Sequence, residues 1–526
     1  MDDNLGLMRS DAESTAIRSV EWIGWTAAAG SEMKRQRPRH GLQNPMIQRS
    51  EVTKAAGRAI ALCSLLGVPV LASGLVARQA ANTSAPLAIT HVTVVDTANG
   101  STLDDMTIVV AGHRIVQVSK STAARVPQGS LIVNGRGKFV TPGLWDMHVH
   151  VFGNGVEDGT DSSEAFFPLL VANGVVGVRD MGTDANDIAQ ANRWNQEIES
   201  GRLIAPRMIV TSQIVDGEPP TWSNSLVVRT AAEGRSAVRT LKASGAQSIK
   251  VYWNLSRDEY FAIADESKKE GLPFAGHVPY VVSAAEASEA GQRSIEHLEG
   301  VAQACSSKES EWLSKRQART WTLADALEMR KTFDESKCNA LAARFQQNNT
   351  WLVPTTVVFF DPKNLDSSSR IRFAPPAVAE RMRQGTLKSG ARADEVTRNA
   401  ELAMRRTMRR AGGALFLAGT DLSAARPMNL PGFSLHDELA LLVESGLTAA
   451  EALQAATYNA ARFENALGDY GIVAEGRHAD LMILHANPLD DIRNISSIDA
   501  VVLNGTFLDR GKLNELLKRA EGAVRR

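Results

Sequence analysis

The stretch TPGLWDMHVH, residues 141–150, contains two histidines, His148 and His150, that are separated by one residue and follow a run of mostly apolar side chains. Such a run predicts a β-strand, and alternate residues of a strand lie on the same face. Both imidazoles are therefore expected on one side of the strand, near its C-terminal end. Two imidazoles on one face can bind a single metal ion, so the spacing indicates a metal site.

Strand-like runs alternate with helical patterns from residue 142 to residue 465, which is typical of a parallel sheet with crossover helices. Eight such strands close most economically into a (β/α)8 TIM-like barrel, although the pattern alone also fits an open doubly wound sheet. The eight candidate strands are 144–150, 175–180, 207–212, 248–253, 273–278, 294–298, 351–357 and 414–421.

Short β-type runs separated by turn residues occur on either side of this region, at 87–141 and 466–515. We expect them to form one small β-sandwich domain that is built from both chain ends. The predicted fold class is therefore α/β, with a barrel and a composite β-sandwich.

The composition narrows the class of protein. With 526 residues, 44% hydrophobic and 22% charged, the chain can bury a large globular core. A net charge of -1 gives no overall field that would attract nucleic acid, so we expect a small-molecule substrate and no nucleic acid partner. The three cysteines include no CxxC pair, and the sequence leaves open whether Cys305 and Cys338 form a bridge.

The first 80 residues predict export. Residues 59–76, AIALCSLLGVPVLASGLV, carry no charge and follow basic residues, which is the layout of a signal peptide or of an uncleaved membrane anchor. We assign 46–80 to this segment and 1–45 to a spurious or disordered extension. The remainder is then expected in the periplasm or outside the cell, unless the apolar segment is a buried helix of the folded domain.

Further polar residues lie near the C-terminal ends of predicted strands: Lys250 on the fourth, His277 on the fifth, His297 on the sixth and Asp421 on the eighth. In a barrel these ends form the rim that carries catalytic groups. Each residue alone is more often structural, because a lone histidine is commonly hydrogen-bonded in a core and a lone lysine reaches water. Burying all of them together would be costly without a bound charge to organise them.

Five motifs contain these residues: TPGLWDMHVH (141–150), SIKVYW (248–253), FAGHV (274–278), SIEHL (294–298) and LAGTD (417–421). Their order and strand placement resemble the amidohydrolase superfamily. Within it, the chain is similar to the subgroup of imidazolonepropionase-like proteins, Xaa-Pro dipeptidases and ochratoxin amidases. The resemblance spans residues 87 to about 510 and implies a metallo-hydrolase barrel over 142–465.

The resemblance implies a centre of two divalent metal ions. Zinc suits imidazole and carboxylate ligands, although manganese or cobalt fits the same set. A bare ammonium cannot bind a cation, so the bridging lysine would be N-carboxylated, as in the family. The implied ligands are His148, His150 and Asp421 for the more buried ion, His277 and His297 for the more exposed ion, and Lys250 as the bridge.

The expected mechanism follows from these charges. Two divalent ions would lower the pKa of a shared water, and the resulting hydroxide would attack a substrate carbonyl. Asp421 would accept the proton of that water and pass it to the leaving amine. Tyr252, on the same strand face as Lys250, either hydrogen-bonds the oxyanion or packs in the barrel mouth.

Other polar residues have less specific expectations. His436 is expected either to contact substrate or to cap the helix that follows it. Arg179 is expected in a structural ion pair, and Asp146 is expected to orient His148. The loops expected to shape the pocket are 151–165, 213–230, 299–322 and 358–380.

We therefore expect a metal-dependent amidohydrolase that cleaves an amide or peptide bond of a dipeptide or an N-acyl amino acid. Lys250 distinguishes it from the single-metal, deaminase-like members of the superfamily. Hydrolysis of a cyclic amide by an imidazolonepropionase-type enzyme is the alternative, opposed by Lys250 and by the export signal. A metal-free barrel that acts as a binding module is the alternative of another class. Assembly into a homo-oligomer is also expected.

Overall fold

The computed structural model describes residues 85–152, 162–359, 369–384, 395–412, 415–423 and 429–525. The predicted N-terminal extension, 1–45, and the predicted signal peptide or anchor, 46–80, lie outside the described residues. Among the residues that are described, no helix has the length and apolar character needed to cross a membrane.

The strands of the described residues fall into an antiparallel-rich group at the chain ends and a parallel group between them. They are β1 (Leu87–Asp96), β2 (Ser101–Ala111), β3 (Arg114–Lys120), β4 (Leu131–Asn134), β5 (Phe139–Pro142), β6 (Leu144–Val149), β7 (Val175–Asp180), β8 (Arg207–Val210), β9 (Ile214–Asp216), β10 (Leu226–Val227), β11 (Ile249–Val251), β12 (Phe274–Gly276), β13 (Ser294–Glu296), β14 (Trp351–Val353), β15 (Leu481–Leu484), β16 (Ile498–Leu503) and β17 (Thr506–Leu508).

Most helices lie between the parallel strands. Four helices, those that begin at Arg257, Ala284, Leu323 and Ala449, start with a capping box that satisfies free backbone N–H groups. The helices are α1 (Ser162–Ala172), α2 (Ala185–Glu199), α3 (Ala231–Ala243), α4 (Arg257–Glu270), α5 (Ala284–Glu289), α6 (Val301–Ala304), α7 (Glu309–Gln317), α8 (Leu323–Lys331), α9 (Glu335–Gln347), α10 (Pro376–Arg383), α11 (Glu395–Gly412), α12 (Phe433–Glu444), α13 (Ala449–Ala455), α14 (Tyr458–Phe463) and α15 (Arg510–Val524).

Strands from both chain ends form one sheet, in the order β17-β16-β15-β5-β1-β2-β3, with β4 also paired to β1. The two ends meet where β5 pairs antiparallel with β15, which places Val140 opposite Ile483. The sheet buries an apolar cluster of its own, which includes Ile89, Ile108 and Val502. Both chain ends thus contribute to one sheet, and the arrangement of this domain as a sandwich stays a prediction.

The parallel strands form two further sheets, β6-β7-β8 and β10-β9-β11-β12-β13-β14. Hydrogen bonds connect them on two sides. The segment 415–422 makes parallel bridges from Phe416 to Leu352 of β14 and from Leu422 to Val149 of β6. After β8, the backbone N–H of Ser212 donates to the carbonyl of residue 248, just before β11, at 2.8 Å. The predicted alternation of parallel strands and helices is confirmed.

Several predicted strands end earlier than expected, and positive φ angles occur at the ends of two that carry candidate ligands. β13 stops at Glu296, since His297 and Leu298 have φ angles of 58° and 57°. The described part of the eighth predicted strand, 415–421, forms only isolated bridges, and Asp421 at its end has a φ of 54°. Positive φ is uncommon for residues other than glycine, and such residues cluster at functional sites.

Cys305 and Cys338 form a disulfide, with their Cα atoms 4.3 Å apart. The bond joins the C-terminal end of α6 to α9, and both residues are fully buried. The sequence left this pairing open, because spacing alone cannot place two cysteines within bonding distance.

Candidate metal centre

The ends of β6 and of the segment 415–422 bring His148, His150 and Asp421 together. One ligand atom from each lies within 4.8 Å of the others. Asp421 Oδ1 is 3.2 Å from His150 Nε2 and 3.5 Å from His148 Nε2. The approach is fixed by the backbone, because the N–H of Asp421 donates to the carbonyl of His148 at 2.7 Å. We call these three residues, with the three described next, the candidate metal centre.

His277 and His297 lie beside this group. The ring of His297 is centred 4.8 Å from the ring of His148 and 4.8 Å from the ring of His277. Its Nδ1 forms a hydrogen bond of 2.7 Å with Thr355 Oγ1, which fixes the orientation of the ring. The left-handed backbone at His297 also sets the direction of its side chain, because the side chain does not point where it would if β13 continued as an extended strand.

Lys250, in the middle of β11, is the sixth member and is fully buried. Glycine in the neighbouring strand leaves space for its side chain: a Cβ at Gly276 would lie 3.1 Å from Lys250 Cδ and 2.3 Å from the carbonyl oxygen of Val251. Burial lowers the pKa of Lys250 to about 8, although Glu296 and Asp421 nearby act in the opposite direction. A larger fraction of neutral amine is therefore present near neutral pH than for an exposed lysine.

Three buried nitrogens of this group have no hydrogen-bond partner: His148 Nε2, His277 Nδ1 and Lys250 Nζ. Buried polar atoms are normally paired, so three orphans in one place need an explanation. Burial, and then the charge of Lys250, lowers the pKa of both histidines well below its ordinary value. Both rings are therefore neutral, which is the form that binds a metal. The residues present fit a metal site.

Glu296 is a site residue that the sequence reasoning missed. Its Oε2 lies 2.7 Å from His148 Nδ1, and its Oε1 lies 3.0 Å from a guanidinium nitrogen of Arg179. Ser294 Oγ donates to the same carboxylate at 2.5 Å. Burial raises the pKa of Glu296, but the charge of Arg179 and the hydrogen bond with His148 outweigh it and hold the pKa well below its ordinary value. The carboxylate thus accepts a hydrogen bond from the Nδ1–H group of His148, which leaves Nε2 to face the other candidate ligands.

The family model for the amidohydrolase family matches residues 139–508, well over half of the chain. This chain is a member of the amidohydrolase family. No curated protein matches it by sequence.

Several solved structures resemble this amidohydrolase. Bottromycin amidohydrolase has a TM-score of 0.63 at 23% identity, over 83% of this chain and 90% of that one. A Xaa-Pro dipeptidase with bound methionine in the active site has a TM-score of 0.56 at 20% identity, over 81% of this chain and 100% of that one. Phenylurea hydrolase B has a TM-score of 0.60 at 19% identity, over 82% and 98%. At these identities the likeness shows the fold, which is α/β and TIM-barrel-like.

Two buried residues of this amidohydrolase hold the strand ends in place. Arg179, predicted in a structural ion pair, forms one with Glu296 and also donates to the carbonyl of Met147 at 2.7 Å. Asp146, expected to orient His148, contacts only its backbone N–H, at 3.3 Å. Its carboxylate instead accepts hydrogen bonds from the N–H and hydroxyl of Thr420, at 3.0 and 2.6 Å. The ring of His148 is oriented by Glu296, and Asp146 secures the residue before Asp421.

Tyr252, the residue expected to act on the oxyanion, does lie beside the candidate metal centre. Its ring is centred 4.0 Å from the ring of His277. Its hydroxyl accepts a hydrogen bond of 2.9 Å from the indole N–H of Trp222. The packing alternative and the catalytic alternative therefore both fit this position.

His436, the remaining residue expected to contact substrate, is held in another part of the fold. It lies inside α12, where its Nε2 bonds to the carbonyl of Asn173 at 2.9 Å, and burial lowers its pKa to about 4. Asn173 precedes the N-terminal end of β7, whereas the candidate ligands other than Lys250 lie at the C-terminal ends of their strands or segments. The helix is preceded by Gly432 and has no side-chain cap, so His436 is not a cap either. Its Nε2 contact is structural, and substrate contact by His436 stays a prediction.

Proposed function

We propose that this amidohydrolase is a metal-dependent hydrolase that cleaves a carbon–nitrogen bond of amide or peptide type in a small-molecule substrate. The observation that carries the proposal is the convergence of His148 Nε2, His277 Nδ1 and Lys250 Nζ, all buried and without hydrogen-bond partners, beside the Asp421 carboxylate. Such a donor set has little structural use without a cation. A dipeptide or an N-acyl amino acid is the substrate class that we propose.

The ligands divide by position. His148, His150 and Asp421 would hold one ion, and His277 and His297 the other. Lys250 would bridge the two after N-carboxylation, in which the neutral amine adds to the carbon of carbon dioxide and releases a proton. The lowered pKa of Lys250 favours this step, because only the neutral amine is a nucleophile. Zinc suits this set of imidazole and carboxylate ligands.

When bound, the divalent ions supply a Lewis acid for the substrate carbonyl and lower the pKa of a water molecule. The Asp421 carboxylate, within 3.5 Å of the Nε2 atoms of His148 and His150, would take a proton at Oδ1 and return it to the leaving nitrogen. Tyr252, whose ring is centred 4.0 Å from the ring of His277, would donate a hydrogen bond from its hydroxyl to the carbonyl oxygen as negative charge develops there.

We also propose that the eight parallel segments close into a complete barrel and that the chain-end sheet forms a β-sandwich. The bridges of the segment 415–422 to β6 and β14 and the hydrogen bond between Ser212 and residue 248 support closure. Export is proposed as well, and the disulfide between Cys305 and Cys338 supports it because such bonds persist in oxidising compartments. The membrane anchor and the homo-oligomer stay predictions.

The test combines metal analysis with a substrate screen. Purified protein supplemented with zinc is expected to retain close to two ions per chain and to hydrolyse members of a dipeptide and N-acyl amino acid library. Asp421→Asn should remain folded and lose hydrolysis at least 100-fold, whereas the matched change Asp469→Asn, at a surface ion pair with Arg114, should retain it. Protein that takes up no metal after supplementation would overturn the proposal in favour of a binding module.

A further inference from the structure

The segment between β9 and β10 carries an exposed tryptophan next to the candidate metal centre. Trp222 has 37% of its surface exposed, which makes it one of the few large apolar side chains among the described residues that face solvent. Its indole N–H donates to Tyr252 Oη at 2.9 Å, and the Tyr252 ring lies 4.0 Å from the His277 ring. The exposed indole is therefore two contacts away from a proposed metal ligand.

Hydrogen bonds, rather than burial, hold this tryptophan in place. The buried carboxylate of Asp216 accepts from the backbone N–H groups of Gly217, Thr221 and Asn254, at 3.0, 2.8 and 2.7 Å. The Asn254 side-chain amide donates back to the carbonyl of Pro219 at 2.8 Å and to the hydroxyl of Thr221 at 3.1 Å. The segment before Trp222 is thus fastened from both ends to the residues that follow β11.

Other aromatic rings continue the surface from the same strand ends. Trp253 lies 4.9 Å from both Tyr252 and His277, measured between ring centres, and Tyr280 stacks on Trp253 at 5.9 Å. The backbone N–H of Tyr280 donates to the carbonyl of Trp253 at 3.0 Å, which ties the end of β12 to the end of β11. Trp222, Tyr252, Trp253 and Tyr280 therefore form one connected aromatic group beside His277.

A rigid, partly exposed aromatic surface beside a catalytic centre binds planar apolar groups well. Its side chains are already ordered before the ligand binds, so little conformational entropy is lost on binding. Trp222 also positions Tyr252, since the donor-only indole fixes where the phenol oxygen lies. The same side chain can therefore affect both the affinity for a substrate group and the alignment of the Tyr252 hydroxyl.

We propose that Trp222 forms an aromatic subsite, and that the substrate is an amide with an aromatic or other planar apolar group next to the scissile bond. This inference rests on the proposed hydrolase function and names the substrate class of the same site. It makes Trp222 a specificity-determining residue, and it makes the Trp222–Tyr252 hydrogen bond a positioning contact.

The kinetic test uses zinc-loaded protein and two matched substrate pairs, N-benzoylglycine with N-acetylglycine and N-acetylphenylalanine with N-acetylalanine. Wild type should prefer the aromatic member of at least one pair. Trp222→Ala should lower kcat/KM for that member at least 10-fold and for its small partner less than 3-fold. Trp222→Phe should keep the KM for the aromatic member close to the wild-type value, because it keeps a ring, and should lower kcat for both members less than 3-fold, because it loses the N–H donor to Tyr252. Ile132→Ala, an exposed apolar residue of β4, is the control.

A binding measurement separates this inference from the proposed function. Titration calorimetry with benzamide and with acetamide needs no turnover, and benzamide should bind wild type more tightly and lose at least 10-fold in Trp222→Ala. Equal losses on both members of a substrate pair, or benzamide affinity unchanged in Trp222→Ala, would overturn the aromatic subsite. Absence of hydrolysis with Trp222-dependent benzamide binding would instead count against the hydrolase and leave the subsite standing.

Discussion

Replacing Glu296 with glutamine removes one negative charge from the interior while keeping the shape of the side chain. In the structure this carboxylate has two strong partners, His148 Nδ1 at 2.7 Å and Arg179 Nη2 at 3.0 Å. The neutral amide can still accept a hydrogen bond from one of them. It no longer favours the form of His148 that carries its proton on Nδ1 and offers Nε2 to a metal, so metal binding should weaken.

Two magnitudes follow from these contacts. Loss of a hydrogen-bonded carboxylate behind a metal-binding histidine typically lowers metal affinity 10–100-fold, or about 1.4–2.7 kcal/mol. Leaving a buried arginine without its carboxylate costs about 3–5 kcal/mol of folding stability. Arg179 keeps hydrogen bonds to the Met147 carbonyl and to Ser294 Oγ, so we expect the lower end of that range.

The assay measures zinc affinity by competition with a chelator, and thermal unfolding with and without zinc. Glu286→Gln is the matched control, since Glu286 pairs with Arg257 at 2.6 Å but near the surface and away from the candidate metal centre. The control should keep wild-type zinc affinity. If Glu296→Gln unfolds at a lower temperature yet binds zinc as tightly as wild type, Glu296 only supports the fold, and the orienting role is refuted.

Three further predictions concern stability and metal content. Replacing Cys305 and Cys338 with serine opens a covalent loop with a sequence separation of 33 and should cost about 4 kcal/mol, seen as a lower Tm that no longer responds to reductant; an unchanged Tm would contradict this. In the folded protein, burial and then the charges of two arginines lower the pKa of His478 to about 4. In the unfolded chain its pKa has the ordinary value of 6.5, so between these two pH values the unfolded chain binds a proton that the folded protein does not. Stability should therefore fall by about 2–3 kcal/mol as pH drops from 6.5 to 4, and His478→Gln should flatten the unfolding profile in that window, whereas a parallel profile would speak against it. Lys250→Ala should lose bound zinc and regain part of it with added acetate or propionate, while Lys269→Ala at the surface should do neither; zinc retained at the wild-type level would exclude Lys250 as the bridge.

The sequence predicted the features that depend on local pattern. The alternation of parallel strands and helices and the grouping of His148, His150 and Asp421 could be read from periodicity and strand position. The role of Glu296 could not, although it stands next to His297 in SIEHL. In an extended strand these neighbours point to opposite faces, and only the left-handed backbone at His297 lets both serve one site.

Partners far apart in the sequence explain the remaining differences. His436 meets the Asn173 carbonyl across a separation of 263 residues, and no local pattern reports such a contact. The same holds for the hydrogen bond between Trp222 and Tyr252. It depends on the hydrogen bond by which Asp216 holds its loop against Asn254, a residue that follows β11. Local signals place residues on elements, and the tertiary arrangement decides which side chains meet.

The pairing of β5 with β15 has a consequence for synthesis of the chain. Pro142, at the end of β5, lies opposite Leu481, so about 340 residues must be translated between two neighbouring strands. At 5–20 residues per second this takes roughly 20–70 s, during which the edge of β5 has no neighbour on that side. A polypeptide stopped before Leu481 is therefore expected to aggregate through that edge.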